Sequence, residues 1–241
     1  MKLNGTLSSM TVNNISAIKA NGVELKQSDL HDQVGDSHVG TSLDTPMRAG
    51  AFDLTDDEKI VEIAHHFGKI MDVLGLDRND DSLKGTPLRV AKMYVKEIFQ
   101  GLNPENLPDI KLFENKYKYK EMLVERNITL HSYCEHHFVP ILGKAHVAYI
   151  SSGNVIGLSK INRIVRHFAK RPQVQERLTE QIAAELKRVL KTEDVAVVID
   201  AEHMCVSTRG IEDTGSSTTT AHYGGRFQQD NVKMEFLSFI Q

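Results

Sequence analysis

The sequence predicts an α+β fold in which an antiparallel sheet packs against helices and a helical segment precedes the sheet. Three observations lead to this prediction. Two amphipathic helical patterns come before the main strand patterns of the chain. Strand patterns then follow at 122–130, 144–150, 195–206 and 218–223. Helical patterns interrupt these strands without a regular strand–helix–strand rhythm, which favours an antiparallel sheet over a parallel one.

The first 50 residues show neither helical nor strand periodicity and are rich in Asn, Ser, Gly and Asp. We therefore expect 1–50 to be a flexible extension, followed by a helical segment at 51–105 and a sheet-containing catalytic domain at 106–241. Within the helical segment, Thr55 and Glu58 form a capping box ahead of apolar residues at three- and four-residue spacing. Gly75 supplies the stop signal for this first helix.

A second helix is predicted from Thr86, as its N-cap, to Gly101, with Pro87 at the first helical position. Arg89 and Lys92 lie on a face away from its apolar stripe. Such a basic face is usually solvated surface, so these two residues alone do not indicate a binding site.

Two further helices are predicted between the strands. Ser159 begins the third, with Lys160 and Arg163 opposite its apolar stripe, and Pro172 ends it. The fourth runs from about 173 to 190. Glu176 stands near its start, where the helix dipole favours a carboxylate, so the residues alone assign it no ligand.

Composition excludes several classes of function. The 241 residues carry a formal net charge of −3, so there is no overall basic field to attract nucleic acid. No apolar run reaches the length of a membrane span, and the first residues lack the continuous apolar core of a secretory signal. We therefore expect a cytoplasmic protein that binds neither nucleic acid nor membrane.

The run 131–137 is the densest group of metal-ligand types, and its Cys134 and His137 have the spacing of a chelating loop. On a strand at 195–206, alternate residues face the same side, so we expect His203 and Cys205 to emerge together. Cys134, His137 and Cys205 would form a Cys2His set that suits zinc and leaves one position open for water. A redox pair or two buried thiols is the alternative for the cysteines.

Two histidines, His136 and His203, flank the predicted ligands. An unperturbed imidazole pKa near 6.5 suits proton transfer, although either histidine alone could be structural. Basic residues close to these segments suggest an anionic substrate, with phosphate the obvious candidate. They are Lys160, Arg163, Arg166 and Arg209.

Six runs, in order along the chain, resemble those of type I GTP cyclohydrolases. They are TPLRVAKMY at 86–94, SYCEHH at 132–137, VIGLSKINR at 155–163, RPQVQERLT at 171–179, AEHMC at 201–205 and TRG at 208–210. The resemblance covers roughly residues 55–240. Because six separate motifs agree in order, it is far more specific than any one of them.

This resemblance implies a tunnelling fold assembled as a decamer, a dimer of pentameric rings with active sites shared between subunits. It also implies zinc as the cofactor, held by Cys134, His137 and Cys205, and GTP as the substrate. The guanine ring would open at C8 and release formate. Rearrangement of the ribose and ring closure would then give 7,8-dihydroneopterin triphosphate, the first step of pterin and folate biosynthesis.

The resemblance also implies roles for the other residues. His136 and His203 would move protons during ring opening. Glu176, aided by Gln175, would accept hydrogen bonds from N1 and the exocyclic amino group of guanine. Triphosphate and ribose contacts would come from Ser159, Lys160, Arg163 and Arg209, and phosphate contacts from Arg89 and Lys92 of an adjacent subunit.

The sequence leaves two other functions open. One is a tunnelling-fold nitrile reductase of deazaguanine metabolism, which uses a cysteine nucleophile and no zinc; the Cys-Glu-His-His run argues against it. The other is a zinc-stabilised nucleotide-binding or regulatory module. Such a module would bind GTP without producing formate.

Overall fold

The computed structural model describes residues 17–20, 23–26 and 42–241. The first two ranges are strands β1 (Ala17–Ala20) and β2 (Val23–Lys26), paired antiparallel as a hairpin in a unit of its own. The sequence analysis did not predict these strands. The rest of the expected 1–50 extension, apart from 42–50, lies outside the described residues.

Helix α1 (Asp56–Val73) begins as predicted. The Thr55 hydroxyl accepts from the Glu58 backbone N–H, and the Glu58 carboxylate accepts from the Thr55 backbone N–H at 2.8 Å. The capping box is therefore confirmed. Gly75 follows the helix at φ +78°, in the left-handed region that favours glycine.

Helix α2 (Thr86–Met93) differs from its prediction at both ends. Its N-cap is Gly85, and Thr86 lies inside the first turn, where its hydroxyl accepts from Arg89. The chain continues as a π-helical turn at Tyr94–Ile98 and short 3-10 turns at Gln100–Leu102 and Pro104–Asn106. Gly101 was predicted to end this helix, but its role is to allow close packing. A Cβ at this position would lie 2.0 Å from the His167 carbonyl oxygen.

The main sheet has five strands in the order β7-β4-β5-β8-β9. The four long strands pair antiparallel, as predicted, and only the two-residue β7 is parallel to its neighbour. A small second sheet pairs β3 (Leu112–Glu114) with β6 (Asn154–Ile156). The main strands are β4 (Met122–Cys134), β5 (Pro140–Ile150), β7 (Pro172–Gln173), β8 (Val195–His203) and β9 (Thr218–Tyr223).

Helices cover both faces of this sheet. Helices α3 (Leu158–Ala169) and α4 (Gln175–Leu190) pack on one face and share the larger apolar cluster. Helix α6 (Asp230–Ile240) shares the smaller cluster, to which the strands contribute the alternate residues that point to the other face. The sequence analysis did not predict α6, whose N-cap Gln229 makes no side-chain capping bond. No helix in the described part of the chain is both long and apolar enough to cross a bilayer.

The strand predicted at 195–206 is three residues too long. Strand β8 ends at His203, and Met204–Ser207 forms one helical turn, α5. The ladder to β5 ends at the pair Ile141–His203, next to Pro140, which has no N–H to donate. The expectation that His203 and Cys205 share one strand face is therefore wrong, although the two residues remain neighbours in the chain.

Candidate metal centre and active site

Three ligand-type side chains converge where β4 and β8 end. Cys134 is the last residue of β4, His137 lies in the loop that follows, and Cys205 lies in α5. Their candidate ligand atoms all lie within 4.8 Å of one another. Because β4 and β8 flank β5 on opposite sides, the sheet order itself brings these chain ends together. These three residues could hold a metal ion.

The loop at 135–139, called the metal loop below, is held by backbone hydrogen bonds. The Cys134 N–H donates to the Val139 carbonyl at 2.9 Å, and the Phe138 N–H donates to the Cys134 carbonyl at 2.8 Å. The Glu135 N–H donates to the carbonyl of Gln173 on β7 at 3.0 Å. Phe138 has φ +54°, which turns the chain back into β5. These bonds place His137 opposite Cys134.

Both cysteines are free thiols, Cys134 buried and Cys205 half-buried. Burial first, and then the neighbouring Cys134 sulfur, raise the pKa of Cys205 to about 11. A cation between the two sulfurs would favour their thiolate forms and so reverse this effect. The donor set of two sulfurs and one imidazole therefore fits a soft or borderline divalent metal.

His203 is oriented by a buried glutamine. The His203 Nε2 and Gln175 Oε1 atoms are 2.7 Å apart, and the Gln175 side chain is about 1% exposed. The Gln175 amide nitrogen donates to the carbonyls of Ile199 and Thr218, at 3.2 and 2.8 Å. Because the amide nitrogen is used as a donor, Gln175 Oε1 must accept, and the proton of a neutral His203 lies on Nε2.

Glu176 follows Gln175 in the first turn of α4, and its side chain is exposed. Burial lowers the pKa of His203, and the charge of Glu176 opposes that shift. A half-buried histidine and an exposed carboxylate thus stand at the same end of the sheet as the ligand group. The carboxylate of Glu176 is available to a bound molecule, whereas the Gln175 side chain is already engaged inside the protein.

Two other predicted residues contact the ligands. The His136 Nδ1 atom lies 3.8 Å from the Cys134 sulfur. The Arg209 guanidinium lies 3.0 Å from His137 Nε2. Arg209 is an exposed residue, so a positive charge stands next to the candidate metal centre and could attract an anion.

The predicted phosphate-binding residues of α3 lie elsewhere. The Asn162 side chain contacts Glu125 at 3.3 Å, and Glu125 lies nine residues before Cys134 on β4. At about 3.3 Å per strand residue, that separation is roughly 30 Å. In this chain, therefore, the first turns of α3 lie at the opposite end of β4 from the metal loop. The residues concerned are Ser159, Lys160 and Arg163.

The basic residues of α2 also make contacts within their own segment. The Arg89 guanidinium donates to the Thr86 hydroxyl at 2.8 Å and to the Ser82 carbonyl at 3.2 Å. Lys92 is exposed. Neither contact of Arg89 involves the metal loop of the same chain.

One pair of residues at the site was not predicted from the sequence. Arg177, on α4, forms a bidentate ion pair with Glu135 of the metal loop, at 2.5 and 3.2 Å. The available signal was the acidic residue placed between two metal-ligand types, Cys134 and His137. Its arginine partner lies 42 residues away, and no local pattern points to it.

The α+β fold and this site define a class: a protein in which two cysteines and one histidine could hold a metal ion, with two further histidines next to them in the chain. The family model described as GTP cyclohydrolase I matches residues 63–241. The chain belongs to the GTP cyclohydrolase I family, which confirms the resemblance found in its motifs.

Two relatives illustrate the similarity. GTP cyclohydrolase 1 of Flavobacterium johnsoniae is 58% identical over 217 residues, which cover 90% of this chain and 97% of that protein. GTP cyclohydrolase 1 of Salmonella arizonae is 54% identical over 209 residues, covering 86% and 94%. The solved apo structure of the archaeosine synthase QueF-Like is much less similar, at 16% identity and a TM-score of 0.38 over 45% of this chain and 97% of that one.

Proposed function

We propose that this protein hydrolyses the imidazole ring of GTP at C8, releases formate and forms 7,8-dihydroneopterin triphosphate. One observation carries the proposal: Cys134, His137 and Cys205 converge beside His203 in a chain of the GTP cyclohydrolase I family. Incubation of the purified protein with GTP, with formate and the fluorescent oxidised pterin as readouts, tests it. Binding of GTP without either product would instead favour the nucleotide-binding module.

We propose zinc as the metal, held by Cys134, His137 and Cys205. Two sulfurs and one imidazole are a common ligand set of catalytic zinc, and three protein ligands leave a position open for chemistry. When bound, zinc would supply a Lewis acid and a nucleophile at neutral pH. Activity should therefore disappear on chelation and return with added zinc.

In the proposed reaction, His136 and His203 move protons beside the metal. The Nε2–H of His203 donates a hydrogen bond to Gln175 Oε1. The Nδ1 atom of His203 is therefore left to exchange a proton with the substrate. Gln175 thus acts by positioning His203. This assignment differs from the role in guanine binding that the family resemblance implies for Gln175.

Gln175→Met separates these two roles. We expect kcat to fall about 10- to 100-fold with KM for GTP nearly unchanged, because His203 loses the partner that sets its tautomer. Thr220→Val is the control, since Thr220 neighbours the Gln175 amide at 3.1 Å and leaves the His203 contact intact. A large rise in KM with unchanged kcat would instead assign Gln175 to substrate binding.

We propose that Glu176 selects guanine over adenine. A carboxylate can accept from the N1–H and 2-amino groups of guanine, whereas adenine offers neither donor. Glu176→Ala should lower kcat/KM for GTP by at least about 100-fold while zinc stays bound, because the donors of guanine lose their partner.

The matched control is Glu180→Ala, one turn further along α4, where the carboxylate contacts His222. This variant should keep most of the activity. Unchanged catalytic efficiency in Glu176→Ala, measured beside it, would exclude the proposed role of Glu176.

We propose a homo-oligomer, a decamer of two pentameric rings, with each site shared between chains. Two features support sharing. The first turns of α3 lie beside the start of β4, whereas the metal loop of the same chain follows the end of β4, so these α3 residues are better placed to serve a neighbour. Within the described residues, β9 pairs only with β8, so its outer edge is available to another copy. Phosphate contacts would then come from the neighbours' Ser159, Lys160, Arg163, Arg89 and Lys92, together with Arg209 of the chain that holds the metal.

A further inference from the structure

A buried ion pair between Arg177 and Glu135 joins the metal loop to helix α4. The Arg177 side chain is almost fully buried, and Glu135 is also largely shielded from water. Arg177 Nη1 and Nη2 donate to the two oxygens of Glu135, at 2.5 and 3.2 Å. This fork-to-fork geometry fixes the plane and position of the Glu135 carboxylate, which a single hydrogen bond would not do.

Arg177 also donates a hydrogen bond through its third nitrogen, Nε. Its Nε donates to the Ser42 carbonyl at 2.7 Å. One turn further along α4, the Gln181 amide donates to the Leu43 carbonyl at 3.1 Å. One face of α4 therefore binds both the metal loop and the backbone at Ser42 and Leu43. Each of the three guanidinium nitrogens of Arg177 donates to a protein oxygen, so the group has little freedom to move.

We propose that Arg177 is a positioning residue for the metal: by fixing Glu135, it holds Cys134 and His137 in the geometry that binds the ion. The inference rests on the proposed zinc centre. Glu135 is adjacent to one ligand and two residues before the other, so the carboxylate anchors the peptide units between them. Partners of this outer kind typically change metal affinity by about 10- to 100-fold when they are altered.

The ion pair is the buried side-chain anchor of this loop. The side chains of His136 and His137 are exposed, and Phe138 is also exposed although its ring contacts that of Phe99, with 5.1 Å between the centroids. Backbone bonds from Glu135 and Phe138 tie its two ends. Without the ion pair, Glu135 would lose its fixed carboxylate position, and metal binding would then have to order the peptide unit that joins it to Cys134.

The experiment measures zinc affinity directly, by competition with a chromophoric chelator, in Arg177→Lys and Glu135→Gln. Lysine keeps the charge but cannot form the fork, and glutamine keeps the shape but not the charge. We expect zinc to bind about 10- to 100-fold more weakly in both variants. The melting temperature of each metal-free variant shows whether the fold persists.

The matched control is Arg188→Lys. Arg188 also forms a bidentate contact, through Nε and Nη2, with Glu185 on the same helix, at 2.8 and 2.7 Å. The Arg188 side chain is exposed and lies about three turns from Arg177. Its zinc affinity should equal that of the parent. Should Arg177→Lys fail to fold, Glu135→Gln decides the question.

Parent-like zinc affinity in a folded Arg177→Lys or Glu135→Gln variant would overturn the positioning role while leaving the zinc centre intact. A parent protein that binds no zinc would overturn the metal centre itself, and this inference with it. Equal weakening in the Arg188→Lys control would also overturn it, because the effect would then not depend on the loop.

Discussion

Cys205→Ser should yield a folded protein that retains neither stoichiometric zinc nor measurable activity. A serine hydroxyl is a poor ligand for zinc at neutral pH, since it stays protonated where a thiol beside a cation becomes a thiolate. Cys134 and His137 alone would leave the ion with two protein ligands. Because serine is nearly the same size as cysteine and Cys205 lies at the rim of the core, the fold should persist.

The measurement is metal content per chain together with pterin formation from GTP. Ser207→Ala is the matched control, because Ser207 lies in the same helical turn but is not part of the ligand group. The control should keep one zinc per chain. Retention of stoichiometric zinc by Cys205→Ser would show that the ligand set is wrong.

The sequence predicted which residues form the candidate metal-ligand group better than it predicted how they are arranged. Cys134, His137 and Cys205 were identified from residue type and spacing, and the structure brings them together. The predicted reason for the position of Cys205, a shared strand face with His203, was wrong. Strand propensity continues through the run VAVVIDAEHMCV, but the strand ends where its partner strand reaches Pro140, which has no N–H to donate.

Other parts of the site depend on contacts that no local pattern encodes. Gln175 reaches His203 across 28 positions, and Arg177 reaches Glu135 across 42. Periodicity places a helix at these residues, yet it does not tell which side chains meet across the fold. Arg177 and Gln175 are polar residues buried in a helix near the site, and only the three-dimensional contacts explain why.

The proposed phosphate-binding residues are a different case, because the site that we propose for them belongs to another chain. Arg89 lies in the helical segment, and its visible contacts are to Ser82 and Thr86. In the proposed oligomer, a single chain supplies the metal-ligand and acid–base residues of one site and the basic residues of another. This arrangement makes a strong prediction about mixed oligomers.

Arg89→Ala and His136→Ala should each be nearly inactive, with activity lowered by at least about 100-fold. Loss of His136 removes a proton-transfer group, typically worth about 10²- to 10⁴-fold. Loss of Arg89 removes a cation that would neutralise the triphosphate in a partly closed site. When the two variants are co-expressed, some sites combine an intact Arg89 from one chain with an intact His136 from its neighbour.

Those combined sites should recover part of the activity. In an equal and random mixture, roughly a quarter of the sites would have both residues intact if each site draws on two chains. Distinct affinity tags on the two variants allow purification of oligomers that contain both. The specific activity of this mixed fraction, compared with each variant alone, is the measurement.

The control pair is His136→Ala with His203→Ala. Both residues lie beside the metal ligands of one chain, His136 next to His137 and His203 two residues before Cys205. Mixing these two variants leaves every site with one damaged histidine, so no activity should return. Recovery in the first pair and none in the second would identify Arg89 as a contribution from a neighbouring chain. If verified mixed oligomers of the first pair stay inactive, Arg89 either serves its own chain or has no part in the reaction.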